Sequence, residues 1–296
     1  MKLPAVLILV LSMAGCRSSS PGPSSSEANA GISIIAALYP FEFLSRRIAG
    51  LDAGVISLAR PGVEPHDLEL DAGQLRDIAR SNLVVYLGGG FQPAVERAMP
   101  SRSRESGPAA FDVRSLGIVN RKGDPHVWLD PGRMAKIASG IGERLAQIDP
   151  QQSQDYRSRA SGVALQLDDL HRQFTEALAE CDRRTVVVSH SAFGYMTDLY
   201  GLQQIGVEGL APDSEPTARR LAEIGATVRE KGITTIFFER LVSPKLARTL
   251  AGSTGTEAKL LDPLESRPAK GDYFDAMRAN LSALTQALGC RSETRN

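Results

Sequence analysis

The chain has 296 residues, 42% hydrophobic and 23% charged, enough for two modest domains that each bury a core. Lys plus Arg and Asp plus Glu both number 34, so no electrostatic footprint points to nucleic acid or to an acidic membrane face. Recognition therefore has to come from a localised site rather than from bulk charge.

The N-terminus reads as a targeting segment. Lys2 precedes an apolar run over residues 4–13. That run is short of the roughly 20 residues a membrane-spanning helix needs and fits the core of a secretory signal. It ends in Met13-Ala14-Gly15-Cys16, which resembles a bacterial lipobox with Met13 in place of the usual Leu. In that reading residues 1–16 are a signal ending at Cys16, the lipidated residue. An ordinary secretory signal with an accidental cysteine is the alternative. The serine-rich stretch 17–30, with Pro21 and Pro23, reads as a flexible tether. The expectation is a domain exported across the cytoplasmic membrane, periplasmic or at the cell surface, and held by lipid.

From residue 31 apolar runs alternate with helical spacing. Strands are expected at 32–38, 55–58 and 83–87, the last stopped by Gly88-Gly89-Gly90, with helices at 41–49, 71–79 and 92–99. The glycine triplet lacks a phosphate-binding pattern and reads as a tight turn. Residues 131–148 form a helix, and 151–181 a longer one of roughly 45 Å, with Val163, Leu165, Leu167, Leu170, Phe174 and Leu178 as its apolar stripe. The alternation then restarts, with strands at 185–189, 203–207, 234–238 and 258–261 and helices at 192–200, 216–231, 244–252 and 273–288. This predicts an α/β fold of two lobes, each with a mainly parallel sheet flanked by helices, joined by one long rigid helix. The boundaries fall at 31–148 for the first lobe, 149–181 for the linking helix and 182–296 for the second.

Two cysteines remain, Cys181 and Cys290. In an oxidising compartment an even pair is expected to be bridged, closing a loop of roughly 100 residues worth about 4–5 kcal/mol in the chain-entropy model. Two buried free thiols are the alternative.

The four histidines are His66, His126, His171 and His190. His171 lies mid-helix and reads as structural. The other three share one context, at the end of a strand or in the loop after it. Ligands in doubly wound α/β lobes bind outside the carboxyl ends of the strands, and imidazoles gathered there suit zinc, which prefers four N, S or O ligands. Asp262, after the strand at 258–261 and before Pro263, is the expected fourth ligand. The intervals of 60, 64 and 72 residues make this a site assembled by folding. Each member also has an ordinary reading, as a surface or core histidine or as an Asp-Pro turn.

The ordered set Pro65-His66-Asp67, Asp124-Pro125-His126-Val127-Trp128-Leu129-Asp130-Pro131 and Ser189-His190-Ser191-Ala192-Phe193-Gly194-Tyr195 resembles the metal-binding solute receptors of ABC transporters, the zinc/manganese group that includes TroA-type proteins. The similarity runs over about residues 32–289. It implies metal held between the lobes by His66, His126, His190 and Asp262, a cognate ABC permease as partner, and a monomer. Manganese-dedicated relatives tend to carry Glu where His190 stands, so zinc ranks first as cargo and manganese or iron second. No histidine falls in 101–123, where many zinc receptors have a His-rich loop. Asp67, Asp124, Asp130 and Glu239 are expected as carboxylate partners of the imidazoles, or as solvent-facing caps. An enzyme is not expected: a zinc hydrolase needs an open coordination position, and no HExxH is present. A surface adhesin role would be additional to metal binding.

Overall fold

The computed structural model describes residues 31–60, 62–99, 109–210, 216–241 and 243–291. The signal segment, Cys16, the tether and Val242 lie outside the described residues.

Two parallel sheets of four strands organise the chain. The first contains β1 (Ser33–Ala36), β2 (Gly54–Ser57), β3 (Leu83–Tyr86) and β4 (Ala109–Asp112), in the order β2-β1-β3-β4. The second contains β5 (Thr185–Val188), β6 (Gln203–Gly206), β7 (Thr235–Phe238) and β8 (Glu257–Leu260), in the order β6-β5-β7-β8. The two orders are the same, so each sheet has one switch point, between β1 and β3 and between β5 and β7. Strands buried on both faces need apolar residues throughout. In β5 the three valines Val186, Val187 and Val188 meet this, and all four residues of the strand are buried.

Helices α1 (Tyr39–Ala49), α2 (Ala72–Arg80) and α3 (Pro93–Ala98) belong to the first lobe. Asp71 and Gln74 form a reciprocal capping box that starts α2. Helices α4 (Pro131–Ile148) and α5 (Ser153–Ala177) follow, joined by a short turn over Pro150–Gln152. The second lobe carries α6 (Gly194–Leu199), α7 (Ala218–Glu230), α8 (Lys245–Thr254) and α9 (Tyr273–Leu288).

Helix α5 carries the chain from one lobe to the other, packing on α1 and α4 and also on α9. It starts at Ser153 and has 25 residues, so it spans roughly 37 Å, less than the sequence predicts. Its buried stripe is Tyr156, Ala160, Val163, Leu167, Leu170 and Phe174. Leu165 does not belong to it and is 69% exposed. At 100° per residue, position 165 points about 200° away from Val163. Helices α4 and α5 approach closely at Gly142, where a Cβ would lie 2.7 Å from that of Ala160.

Strand β4 is the element absent from the sequence reading. In Ala109-Ala110-Phe111-Asp112 only Phe111 is strongly apolar, and the strand is defined by backbone pairing with β3 at the sheet edge. A disulfide with S–S 2.03 Å joins Cys181, just beyond α5, to Cys290, just beyond α9. One apolar core runs from β1 and β3 through α4, α5 and Trp128 to Val186, Val188 and Phe237 of the second sheet. Val187 points to the opposite face, where Ile224, Val228, Ile236 and Leu250 form a smaller core under α7 and α8. The lobes are therefore fused across a shared apolar interior, which fixes the loops at their carboxyl ends relative to one another.

Candidate metal centre

His66 sits in a single helical turn, Pro65–Asp67, on the connection that leaves β2. Glu64 stops that turn from fraying by accepting the His66 backbone N–H at 3.3 Å. His126 ends the long connection after β4 and precedes the turn Val127–Leu129. His190 follows β5 by two residues, at the switch point of the second sheet, and Glu239 leaves the adjacent strand β7. His190 thus stands at a strand end, while His66 and His126 lie on the connections nine residues after β2 and fourteen after β4.

Their side chains meet a carboxylate that the sequence reading passed over. His66, His126, His190 and Glu265 each offer one ligand atom, all within 4.8 Å of one another. Glu265 Oε1 lies 3.3 Å from Nε2 of His66, 3.0 Å from Nε2 of His126 and 3.4 Å from Nε2 of His190. The Nε2 atoms of His126 and His190 are 3.3 Å apart. A tetrahedron with metal–ligand bonds of about 2.0–2.1 Å has edges of roughly 3.3 Å. These four separations are close to four of the six edges of a zinc-sized tetrahedron, and all the ligand atoms lie within 4.8 Å of one another.

Asp262 is not a member of this group. Its Oδ1 accepts the Leu264 N–H at 2.9 Å and its Oδ2 accepts Arg240 Nε at 3.1 Å, so both oxygens are committed to the turn after β8. The carboxylate expected from Asp262 is supplied by Glu265, three residues on. His171 is bound away from the group, with Nδ1 3.1 Å from the Tyr200 hydroxyl.

Carboxylates orient two of the rings. Asp124 Oδ1 lies 2.8 Å from His126 Nδ1 and also accepts the His126 backbone N–H at 3.0 Å. Glu239 Oε1 accepts the His190 backbone N–H at 3.0 Å, and its Oε2 touches His190 Nδ1 at 2.5 Å, a contact too bent for an aligned hydrogen bond. With Nδ1 held in this way, Nε2 is left to face the centre. Of the other expected partners, Asp130 caps α4 and pairs with Arg133, while Asp67 lines the cleft beside His66.

Packing holds the rest. The Phe91 ring stands edge-on to His66 at 4.8 Å, and Trp128 meets His126 edge-on at 5.2 Å with the rings 62° apart. Trp128 Nε1–H donates to the Pro263 carbonyl at 2.7 Å, and the Tyr273 hydroxyl donates to the Trp128 carbonyl at 2.6 Å. These bonds tie the Glu265 loop of the second lobe to the His126 turn of the first. Arg121 makes a further link, pairing with Asp124 in its own lobe and Asp198 across from it.

Burial and charge set the protonation of the group. Burial pushes the His190 imidazole down, but its contacts with Glu239 and Glu265 outweigh that and raise it to about 10. His126 moves the same way: burial lowers it, and Asp124 and Glu265 more than reverse the effect. Burial works to raise the Glu265 carboxyl, yet the three imidazoles hold it well below the usual carboxylate range. His126 and His190 are fully buried, whereas the His66 side chain keeps 11% of its surface. Of the four, His66 also lines a cleft of about 560 Å³ that it shares with Phe91, Asn120 and Asp124.

The model of the zinc-uptake complex component A, periplasmic, matches residues 34–287. The chain belongs to this zinc-uptake family. It is 30% identical to the high-affinity zinc uptake system protein ZnuA of Bacillus subtilis, over 95% of each chain. It is also 30% identical to the zinc-binding lipoprotein AdcA of Streptococcus pneumoniae, over 88% of this chain but only 56% of that protein. The chain thus spans about half the length of the streptococcal AdcA relatives. Among solved structures, the Zn(II)-bound ZnuA-like domain of S. pneumoniae AdcA is similar with a TM-score of 0.77 and 30% identity, covering 87% of this chain and 98% of that one. The laminin-binding protein of Streptococcus agalactiae, described as having adhesin and metal-transporting activity, has a TM-score of 0.81 at 29% identity, covering 87% and 100%. Membership in the zinc-uptake family accounts for the two-lobed fold.

Proposed function

We propose that this protein is an extracytoplasmic receptor that captures Zn²⁺ between its lobes and delivers it to an ABC permease for uptake. His66, His126, His190 and Glu265 bind the ion, and Cys16 carries the lipid that keeps the receptor at the membrane. The observation that carries this reading is the convergence of three imidazoles and one carboxylate in a buried centre, their ligand atoms all within 4.8 Å of one another. Three imidazoles and one carboxylate favour zinc over manganese, which prefers more oxygen ligands and a higher coordination number. The zinc-binding names of the relatives support the same cargo.

Capture exchanges protons for metal. The ion needs neutral imidazoles, and in the metal-free centre His190 holds its proton up to about pH 10. Lowering the pH therefore strengthens the competitor. Zinc affinity, measured against a chelator of known pH dependence, is expected to be at least about tenfold weaker at pH 5 than at pH 7.5. Equal affinities would contradict binding through these nitrogens.

The direct test uses protein lacking residues 1–16, stripped with chelator and titrated with zinc and manganese in competition. One tight zinc ion per chain, displaced poorly by manganese, is the expected result. Preference for manganese would overturn the cargo, and no tight binding of either ion would overturn the receptor reading.

A further inference from the structure

The loop that leaves β8 contains an unusual backbone. Leu264 has φ +59°, the only non-glycine residue in the left-handed region among the described residues. A side chain with a Cβ is disfavoured there, and the Leu264 side chain is itself fully buried. Something has to hold this residue against its own preference, and the Pro263–Leu264 peptide that precedes it is pinned at both its N–H and its carbonyl. Asp262 Oδ1 accepts the Leu264 N–H at 2.9 Å. Trp128 donates to the Pro263 carbonyl at 2.7 Å. Asp262 is in turn braced by Arg240 Nε at 3.1 Å and by Asn280, which exchanges two backbone hydrogen bonds with it at 2.9 and 2.7 Å.

The residue after Leu264 is Glu265. A left-handed residue reverses the local chain direction, so the φ of Leu264 decides where the Glu265 carboxylate goes. With the turn as it stands, Glu265 is 1% exposed and touches three imidazoles. Resting on the zinc-receptor reading, we infer that Asp262, braced by Arg240, is a positioning residue whose hydrogen bond to Leu264 turns Glu265 into the metal site. The arrangement also gives neighbouring residues at the end of β7 parallel tasks. Glu239 holds His190 directly, and Arg240 holds Glu265 through Asp262.

The test compares wild type, Asp262→Ala, Asp262→Asn and Arg240→Gln in stripped protein, reading zinc affinity, zinc dissociation rate and the visible absorption of bound Co²⁺. Asp262→Ala removes the acceptor and is expected to weaken zinc ten- to hundredfold, the range for partners one step beyond a ligand. Its Co²⁺ absorption should also weaken, as water replaces Glu265 and tetrahedral geometry is lost. Asp262→Asn keeps an acceptor for Leu264, and Arg240→Gln keeps the whole carboxylate. Both should release zinc about two- to fivefold faster, as expected for the loss of a brace, with the wild-type Co²⁺ spectrum. A merely structural Asp262 would lower thermal stability and leave the spectrum alone. A folded Asp262→Ala protein with wild-type affinity and spectrum would overturn the inference. Should that variant fail to fold, wild-type dissociation rates in both other variants would overturn it. Absence of zinc binding by wild type would sink the receptor reading and this inference together.

Discussion

His126→Ala should lose tight zinc binding, with affinity falling by more than about a hundredfold, beyond the usual effect of changing a partner of a ligand. The ring occupies the middle of the group, within 3.0 Å of Glu265 and 3.3 Å of the His190 ring. Its removal takes away one ligand and leaves the charge of Glu265 shared by two imidazoles instead of three. The variant is still expected to fold. Asp124, the buried carboxylate behind the ring, keeps the backbone N–H of residue 126 and the Arg121 guanidinium as partners. Circular dichroism and thermal unfolding of the metal-free protein should therefore resemble wild type, while competition titration shows the loss. Wild-type zinc affinity in a folded His126→Ala protein would remove this centre from consideration.

Reduction of the Cys181–Cys290 bridge, or Cys181→Ser with Cys290→Ser, should lower stability by about 4–5 kcal/mol in the chain-entropy model. The cysteines are 109 positions apart, so the bridge restrains most of the second lobe in the unfolded chain. For a protein of this size that corresponds to a drop in Tm of roughly 7–9 °C. The zinc affinity of the folded protein should be unchanged. Cys181 lies just before the start of β5 and His190 just after its end, so the bridge and the metal centre sit at opposite ends of that strand. A Tm within about 2 °C of wild type would show that the unfolded state is already restrained in another way. A loss of zinc affinity in the folded protein would show that the bridge also shapes the centre.

Most of the fold was legible in the sequence because it is dictated locally. Residues 186–188 are all valine, as a strand buried on both faces favours, and Asp71 with Gln74 marks the start of α2 as a capping box. His66, His126 and His190 could be singled out for a related reason. His66 and His190 follow strands recognisable in the sequence, the carboxyl ends of parallel strands being where α/β lobes bind ligands, whereas His126 follows β4 and was singled out by its own local sequence. Strand β4 was not legible, because its short sequence carries one strong apolar residue and its strand character comes from pairing with β3.

The fourth member of the centre was decided only by tertiary structure. Asp262 and Glu265 both follow β8, and sequence position favours Asp262, which stands closer to the strand end. What separates them is the left-handed turn at Leu264, held from outside its own segment by Trp128, Arg240 and Asn280. Local preference opposes a left-handed leucine, so no reading of neighbouring residues could have chosen Glu265. The sequence determined which strand ends carry imidazoles. The packing of one lobe against the other determined which carboxylate meets them.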